Sequence, residues 1–200
     1  MKVGILAVQG AFVEHEKMLR SLSVEPVEVR LPEHLEGLDG LIIPGGESTT
    51  IGKVARRWNL LDPIREFARA GRPLWGTCAG MIVMAKEVVD GEADQPLLEL
   101  MDVTVRRNAF GRQVDSFEAD LQTLLLGEEP FHAVFIRAPV IERLGDGVEV
   151  VARLEGGAVV AAQQGNMLAT AFHPELTQDD RFHRYFLDLS TGGSASRAAT

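Results

Sequence analysis

Pro73-Leu74-Trp75-Gly76-Thr77-Cys78-Ala79-Gly80-Met81 is the stretch on which the chain turns. A short apolar run ends at Gly76, the one cysteine of the chain follows two residues later, and Gly80 opens an apolar segment of helical character. A strand that breaks into a helix across Gly-x-nucleophile-x-Gly is a nucleophile elbow, here with Cys78 where serine often stands. The nucleophile of such a turn sits at strained backbone angles, and small neighbours let the chain pass. The N-terminus of the following helix lends the sulfur partial positive charge, which favours thiolate. The alternative is a buried cysteine that packs as a small hydrophobe.

Upstream of the elbow the chain alternates strands and helices. Val3 to Val8 is a near-continuous apolar run, the pattern of a central parallel strand covered on both faces. Gln9-Gly10 makes a turn, and Ala11 to Leu22 places Phe12, Met18, Leu19 and Leu22 on one helical face. Pro26 to Arg30 alternates like an edge strand, and Leu38 to Ile43 reads as another buried one. Helices are expected over Ile51 to Trp58 and Leu61 to Ala70, and Ile82 to Val89 should continue the helix behind Cys78. Strand, helix, strand, loop, strand is the opening of a doubly wound α/β fold. Asp90 to Pro96 is polar and reads as an exposed loop.

Pro44-Gly45-Gly46-Glu47-Ser48-Thr49-Thr50 closes the third strand. Its glycines and the following helix start could cradle a phosphate, but Glu47 would repel one and no Gly-Lys-Ser/Thr follows. Free N–H groups here could instead form an oxyanion hole. A tight turn with a helix cap is the plainer alternative.

From Leu100 the pattern changes to short strands: Val103 to Val105, Val114 to Phe117, Ala133 to Ile136 and Val148 to Val151. Val159 to Ala162 and Met167 to Phe172 flank Gln164-Gly165-Asn166, a hairpin signal. An amphipathic helix over about Gln178 to Leu189 closes the folded part. The tail, 191–200, has nothing to bury and is expected to be disordered. With no linker and no internal repeat, residues 1–190 read as a single domain.

His173-Pro174-Glu175 follows the last strand. Pro174 biases His173 toward extended geometry, and residues two apart in an extended segment point the same way. His173 and Glu175 can therefore face one pocket, the carboxylate orienting the imidazole as base for a cysteine nucleophile. A histidine ending a strand beside a surface glutamate is the alternative. Glu14-His15-Glu16 reads as a solvated helix face, His183 lies between Arg181 and Arg184, His34 sits in a Pro-flanked loop and His132 at a strand start. No pair has metal-ligand spacing, so neither a metal nor a cofactor is expected.

Composition narrows the function classes. The formal net charge of −9 disfavours nucleic acid and anionic membrane as partners. One cysteine excludes an intramolecular disulfide framework. No apolar run is long enough to span a bilayer, and the N-terminus turns polar too soon for a signal peptide. A cytoplasmic protein is the expectation.

The elbow, the glycine loop and His173-Pro174-Glu175 together resemble the class I (triad) glutamine amidotransferases. Val8-Gln9-Gly10-Ala11, Pro44 to Thr50, Arg107-Asn108-Ala109-Phe110-Gly111-Arg112-Gln113-Val114-Asp115-Ser116-Phe117 and Phe135-Ile136-Arg137-Ala138-Pro139 narrow the resemblance to the glutaminase subunits of pyridoxal 5′-phosphate synthase, the PdxT family. The likeness extends to about Leu189. It implies a three-layer flavodoxin-like fold: a mainly parallel central sheet, helices on both faces, and added antiparallel strands in the second half. It implies Cys78, His173 and Glu175 as the catalytic triad, and the backbone N–H groups of Gly46 and Ala79 as the oxyanion hole. Gly46, Glu47, Ser48, Arg107, Ile136 and Arg137 would hold L-glutamine, although surface ion pairing is the simpler use of Arg107 and Arg137. The family's partner is a (β/α)8-barrel synthase subunit that takes the released ammonia. Gln9 and Gly10, beside the glycine loop, would sense that partner.

Two other readings share part of the pattern. DJ-1/PfpI-type proteins and γ-glutamyl hydrolases resemble the elbow but not the Arg107 to Phe117 block. A non-catalytic module could keep the fold without turnover.

Overall fold

The computed structural model describes residues 1–111, 116–123 and 125–191. Five strands and four helices make up the first half: β1 (Lys2–Leu6), α1 (Phe12–Ser21), β2 (Glu25–Val29), β3 (Gly40–Ile43), α2 (Ser48–Arg57), α3 (Leu61–Arg69), β4 (Leu74–Thr77), α4 (Ala79–Met84) and β5 (Ala85–Val89). The second half carries β6 (Met101–Arg106), β7 (Ser116–Leu121), β8 (Phe131–Ile136), β9 (Val140–Leu144), β10 (Glu149–Arg153), β11 (Val159–Gln164), β12 (Met167–Thr170) and α5 (Arg181–Ser190). The expected disordered tail lies outside the described residues apart from Thr191, as does the 112–115 part of the Arg107 to Phe117 block.

Among the described residues ten strands form one sheet in the order β2-β1-β3-β4-β12-β11-β9-β6-β5, with β10 added on β11. Pairing is parallel from β2 through β12 and antiparallel from β12 to β6. Every residue of β3 and β4 is buried, so both faces of the central strands are covered. This is the mainly parallel α/β fold with added antiparallel strands that the resemblance implies. β2 is the edge strand expected from Pro26 to Arg30. The turn between β11 and β12 is the hairpin that Gln164-Gly165-Asn166 signals, with Gly165 at φ 58°. β7 and β8 form a separate two-stranded ladder.

Three segments of the chain depart from the sequence reading of its elements. The helix expected to run to Val89 stops at Met84, and Ala85–Val89 pairs with β6 as a parallel strand. Val88 and Val89 are β-branched, and the ladder with Met101–Arg106 decides between two states the apolar run leaves open. β9 passes unseen in the sequence because Val140-Ile141-Glu142-Arg143-Leu144 has no alternation and follows a proline. The Asp90 to Pro96 loop is exposed only in its first part: Pro96 is buried, its carbonyl tucked against Gly52.

The parallel strands all end on one side. Leu6 of β1 leads to Gln9-Gly10, Ile43 of β3 to Gly45-Gly46, Thr77 of β4 to Cys78, and Thr170 of β12 to His173. A crevice at the carboxyl ends of such strands is where open α/β sheets place their sites.

Candidate active site

Cys78 has φ 49° and ψ −105°, an uncommon backbone conformation for a residue with a side chain. Such strain costs on the order of 1–3 kcal/mol and persists only where the surroundings over-determine it. Here they do. The Cys78 N–H donates to the Thr170 carbonyl at 2.7 Å, tying the elbow to the end of β12. A Cβ on Gly76 would lie 2.6 Å from the Gly80 carbonyl carbon, and one on Gly80 would overlap the Ile43 carbonyl oxygen. Both elbow glycines are thus needed for the close approach of α4 to β3 and β4. The helix behind the sulfur has only six residues, so its field at Cys78 is that of the first-turn N–H groups rather than of a long dipole.

His173 comes to Cys78 from the other side of the same strand pair. Its N–H donates to the Val134 carbonyl at 2.8 Å, and its Nδ1 lies 2.7 Å from Glu175 Oε1. Pro174–Leu176 forms a single tight turn that brings Glu175 back beneath the ring. Gly45 fills the remaining gap: a Cβ there would clash with the His173 ring and come within 3.3 Å of Cys78 Cβ. The three side-chain residues are nearly closed off, at 7 %, 7 % and 6 % exposure for Cys78, His173 and Glu175. Burial opposes charge on His173, yet hydrogen bonds and charge attraction from Cys78 and Glu175 outweigh it and raise its pKa to about 10. Burial likewise opposes ionisation of Glu175, but the neighbouring His15 and His173 hold its carboxyl below the ordinary range.

Gln9 and Gly10 sit against the glycine loop, as the sequence places them. The Glu47 N–H donates to Gln9 Oε1 at 2.8 Å, the Ala11 N–H to the Gly45 carbonyl at 2.9 Å, and Gly10 at φ 104° packs where any Cβ would overlap that carbonyl. Gly46 lies under the Gln9 amide. Ala79, the first residue of α4, has an N–H that needs no partner within the helix.

Glu47 caps α2, accepting from the N–H groups of Thr49 at 3.2 Å and Thr50 at 2.7 Å. Partial burial raises its pKa, but the Thr50 hydroxyl, these N–H groups and Arg107 together hold the carboxyl below its ordinary value. The loop is therefore a helix cap as well as a candidate oxyanion hole. Arg107 reaches Glu47 Oε1 at 3.1 Å and both Thr49 Oγ1 and Gln95 Oε1 at 3.3 Å. Its fork is engaged by protein oxygens, and Gln95, at the end of the polar loop, joins the site wall. Ser48 is buried in the first turn of α2 with its Oγ unpartnered. On the facing ladder the Ile136 carbonyl lies 3.8 Å from Cys78 Sγ, and Arg137 follows at φ 44°.

The reading of His15 as part of a solvated helix face is overturned, and His183, noted in the sequence only as lying between two arginines, is buried beside it. His15 and His183 are fully buried. His15 Nδ1 lies 3.0 Å from His183 Nε2, and His15 Nε2 lies 3.3 Å from Thr77 Oγ1 and 3.4 Å from Glu175 Oε2. The charged neighbours Glu14 and Glu16 mask a simpler signal. His15 follows Phe12 by three residues and precedes Leu19 by four, so it belongs to the apolar stripe of α1. His183 sits between Phe182 and Phe186 on the buried face of α5, where both rings pack near Trp75. Among the described residues no cluster of His, Cys, Asp or Glu could hold a metal ion. No helix there is long and apolar enough to cross a membrane.

A mainly parallel α/β sheet with a cysteine elbow at one strand end, and a histidine–glutamate pair at the next, is the architecture of the class I glutamine amidotransferases. The chain belongs to the SNO glutamine amidotransferase family, which it matches over residues 5–191. It is 63 % identical to "Pyridoxal 5′-phosphate synthase subunit PdxT" of Herpetosiphon aurantiacus, over 94 % of this chain and 100 % of that protein. It is 62 % identical to the protein of the same name from a Roseiflexus species, with the same coverage. A solved structure described as a glutamine amidotransferase superposes with a TM-score of 0.89 at 56 % identity, covering 94 % of this chain and 98 % of that one. The resemblance drawn from the motifs and the similarity of the whole chain agree.

Proposed function

We propose that this chain is the glutaminase subunit of a pyridoxal 5′-phosphate synthase. In this reading it hydrolyses L-glutamine to L-glutamate and ammonia, with residues 1–190 acting as one catalytic domain. The observation that carries the reading is the convergence of Cys78 and His173 around Gly45, with Glu175 on the His173 ring, at the carboxyl ends of β4, β3 and β12. The family to which the chain belongs supports the choice of substrate, and the names of the relatives support the choice of pathway.

The Cys78 sulfur, as thiolate, attacks the side-chain amide carbon of glutamine, and the carbonyl π pair moves onto oxygen. The N–H groups of Gly46 and Ala79 receive that oxyanion. His173 holds its proton to about pH 10, so it can pass that proton to the amide nitrogen as the C–N bond breaks. Ammonia leaves and a thioester remains. Neutral His173 then takes a proton from water, the hydroxide adds to the thioester, and the C–S bond breaks to give glutamate and return the sulfur. Glu175 keeps the Nδ1–H of His173 pointed inward, which leaves Nε2 for these transfers.

Gly46, Glu47, Ser48, Ile136 and Arg137 hold the amino-acid end of the substrate. Arg107 serves there chiefly by bracing Glu47. Ammonia is mostly protonated in neutral water, so the product is passed to a (β/α)8-barrel synthase subunit. Gln9, which accepts from the Glu47 N–H, and Gly10, packed against the Gly45 carbonyl, transmit that docking to the oxyanion hole. The decisive experiment is glutamate release from L-glutamine by this chain alone and with the synthase subunit, beside Cys78→Ala. Activity that rises with the partner and disappears in the variant supports the reading. Folded protein with a competent synthase and no turnover overturns it, and equal rates with and without the partner overturn the coupling.

A further inference from the structure

Behind Glu175 the site continues into a buried polar chain that the triad does not account for. Glu175 Oε1 takes the His173 bond, while Oε2 is buried with no hydrogen-bond partner. His15 Nε2 lies 3.4 Å from this oxygen, and His15 Nδ1 is in turn 3.0 Å from His183 Nε2. His183 Nδ1 is buried and unpartnered.

These contacts assign the protons. If His15 carried its proton on Nδ1, its bare Nε2 lone pair would face a carboxylate oxygen. His183 would then accept at Nε2 and bury an N–H at Nδ1 with no acceptor. Both penalties vanish if His183 Nε2–H donates to His15 Nδ1 and His15 Nε2–H points between Thr77 Oγ1 and Glu175 Oε2. The orphan is then a lone pair on His183 Nδ1. Both rings are neutral at neutral pH, since burial lowers the pKa of each. A neutral donor satisfies a buried carboxylate oxygen without cancelling the charge that Glu175 presents to His173.

The geometry points to His15 as a positioning residue for the proposed glutaminase reaction: through its Nε2–H it holds the Glu175 carboxylate, while His183 holds the His15 tautomer. The chain of contact runs His183, His15, Glu175, His173, Cys78, with its parts drawn from α5, α1, the turn after β12, and the elbow. This rests on the glutaminase reading for its activity assays and on the resting protein alone for its spectroscopic one.

The test is steady-state glutaminase kinetics with the synthase subunit present, together with proton NMR of the resting protein. His15→Leu should lower kcat about 10- to 100-fold, the worth of one hydrogen bond to a charged group, with KM unchanged. His15→Gln, whose amide N–H can reach the same oxygen, should recover most of that loss. His183→Leu should lower kcat less, and the double variant His15→Leu/His183→Leu should match His15→Leu alone, because His183 acts only through His15. The downfield His173 Nδ1–H resonance of the resting protein should move upfield in His15→Leu and return in His15→Gln.

Wild-type kcat in folded His15→Leu would overturn the inference. So would independent, multiplying effects of the two leucine variants, or a His15→Gln as slow as His15→Leu. If His15→Leu does not fold, His15→Gln and His183→Leu carry the test: near-wild-type kcat for the first and a reduced kcat for the second are required. If the wild type hydrolyses no glutamine, the glutaminase reading fails, and an unmoved His173 resonance in His15→Leu is then what would overturn this one.

Discussion

The two sides of the His173 ring are built differently. In front stands Cys78, held at φ 49° by a backbone folded tightly through glycines. Behind stand Glu175, His15 and His183, side chains on regular or near-regular backbone that meet only because helices pack over the sheet. The front is made by contiguous residues, Gly76 to Gly80 and Gly45-Gly46. The back joins residues 168 positions apart. Backbone strain can be encoded in five residues, whereas a buried polar chain needs the whole core to close around it.

Removing the front should have the largest effect. Cys78→Ala is expected to abolish glutamate release, a loss of about 10⁴-fold or more in kcat, with folding retained by circular dichroism. At the back, Glu175→Gln should cost about 10³–10⁴-fold in kcat, since an amide N–H turned toward His173 selects the wrong tautomer. If Glu175→Gln were as active as wild type, the orienting role of the carboxylate would be wrong.

The strain of the front can be tested as stability. Gly80→Ala would force a Cβ onto the Ile43 carbonyl, backbone that cannot yield as a side chain can, and should destabilise by about 3 kcal/mol or more in denaturant unfolding. An alanine variant of unchanged midpoint would show that α4 can move away from β3.

Both sides meet in the titration of His173. Its pKa of about 10, set against the ordinary 6.5, depends on Cys78 and Glu175 together, so Cys78→Ala should lower it in an NMR titration. The raised value also has a sign for stability. The protonated ring contributes fully below about pH 6.5, and that contribution is lost as pH rises through about 10. A smaller effect is expected from Arg107→Ala, whose partly exposed pair with Glu47 is worth a few tenths to about 1 kcal/mol. KM should rise about 2- to 5-fold. A rise of 100-fold would mean that Arg107 pairs with the substrate carboxylate itself.

The sequence by itself determined the elements that depend on local chemistry. The apolar runs of β1, β3 and β4, the Gly165 hairpin, the elbow at Cys78 and the two-residue spacing of His173 and Glu175 are all readable because period, turn residues and strain are properties of neighbours in the chain. The tertiary structure decided the rest. Ala85–Val89 became a strand because β6 offered it a ladder, and Val140–Leu144 because it lies between β11 and β6. Arg107 and Gln95 joined the Glu47 loop across the site, although neither is near it in sequence. His15, flanked by two glutamates and set on an apolar stripe, could have faced either way. Packing of α1 and α5 around Trp75 turned it inward, where the loss of water makes each remaining hydrogen bond specific.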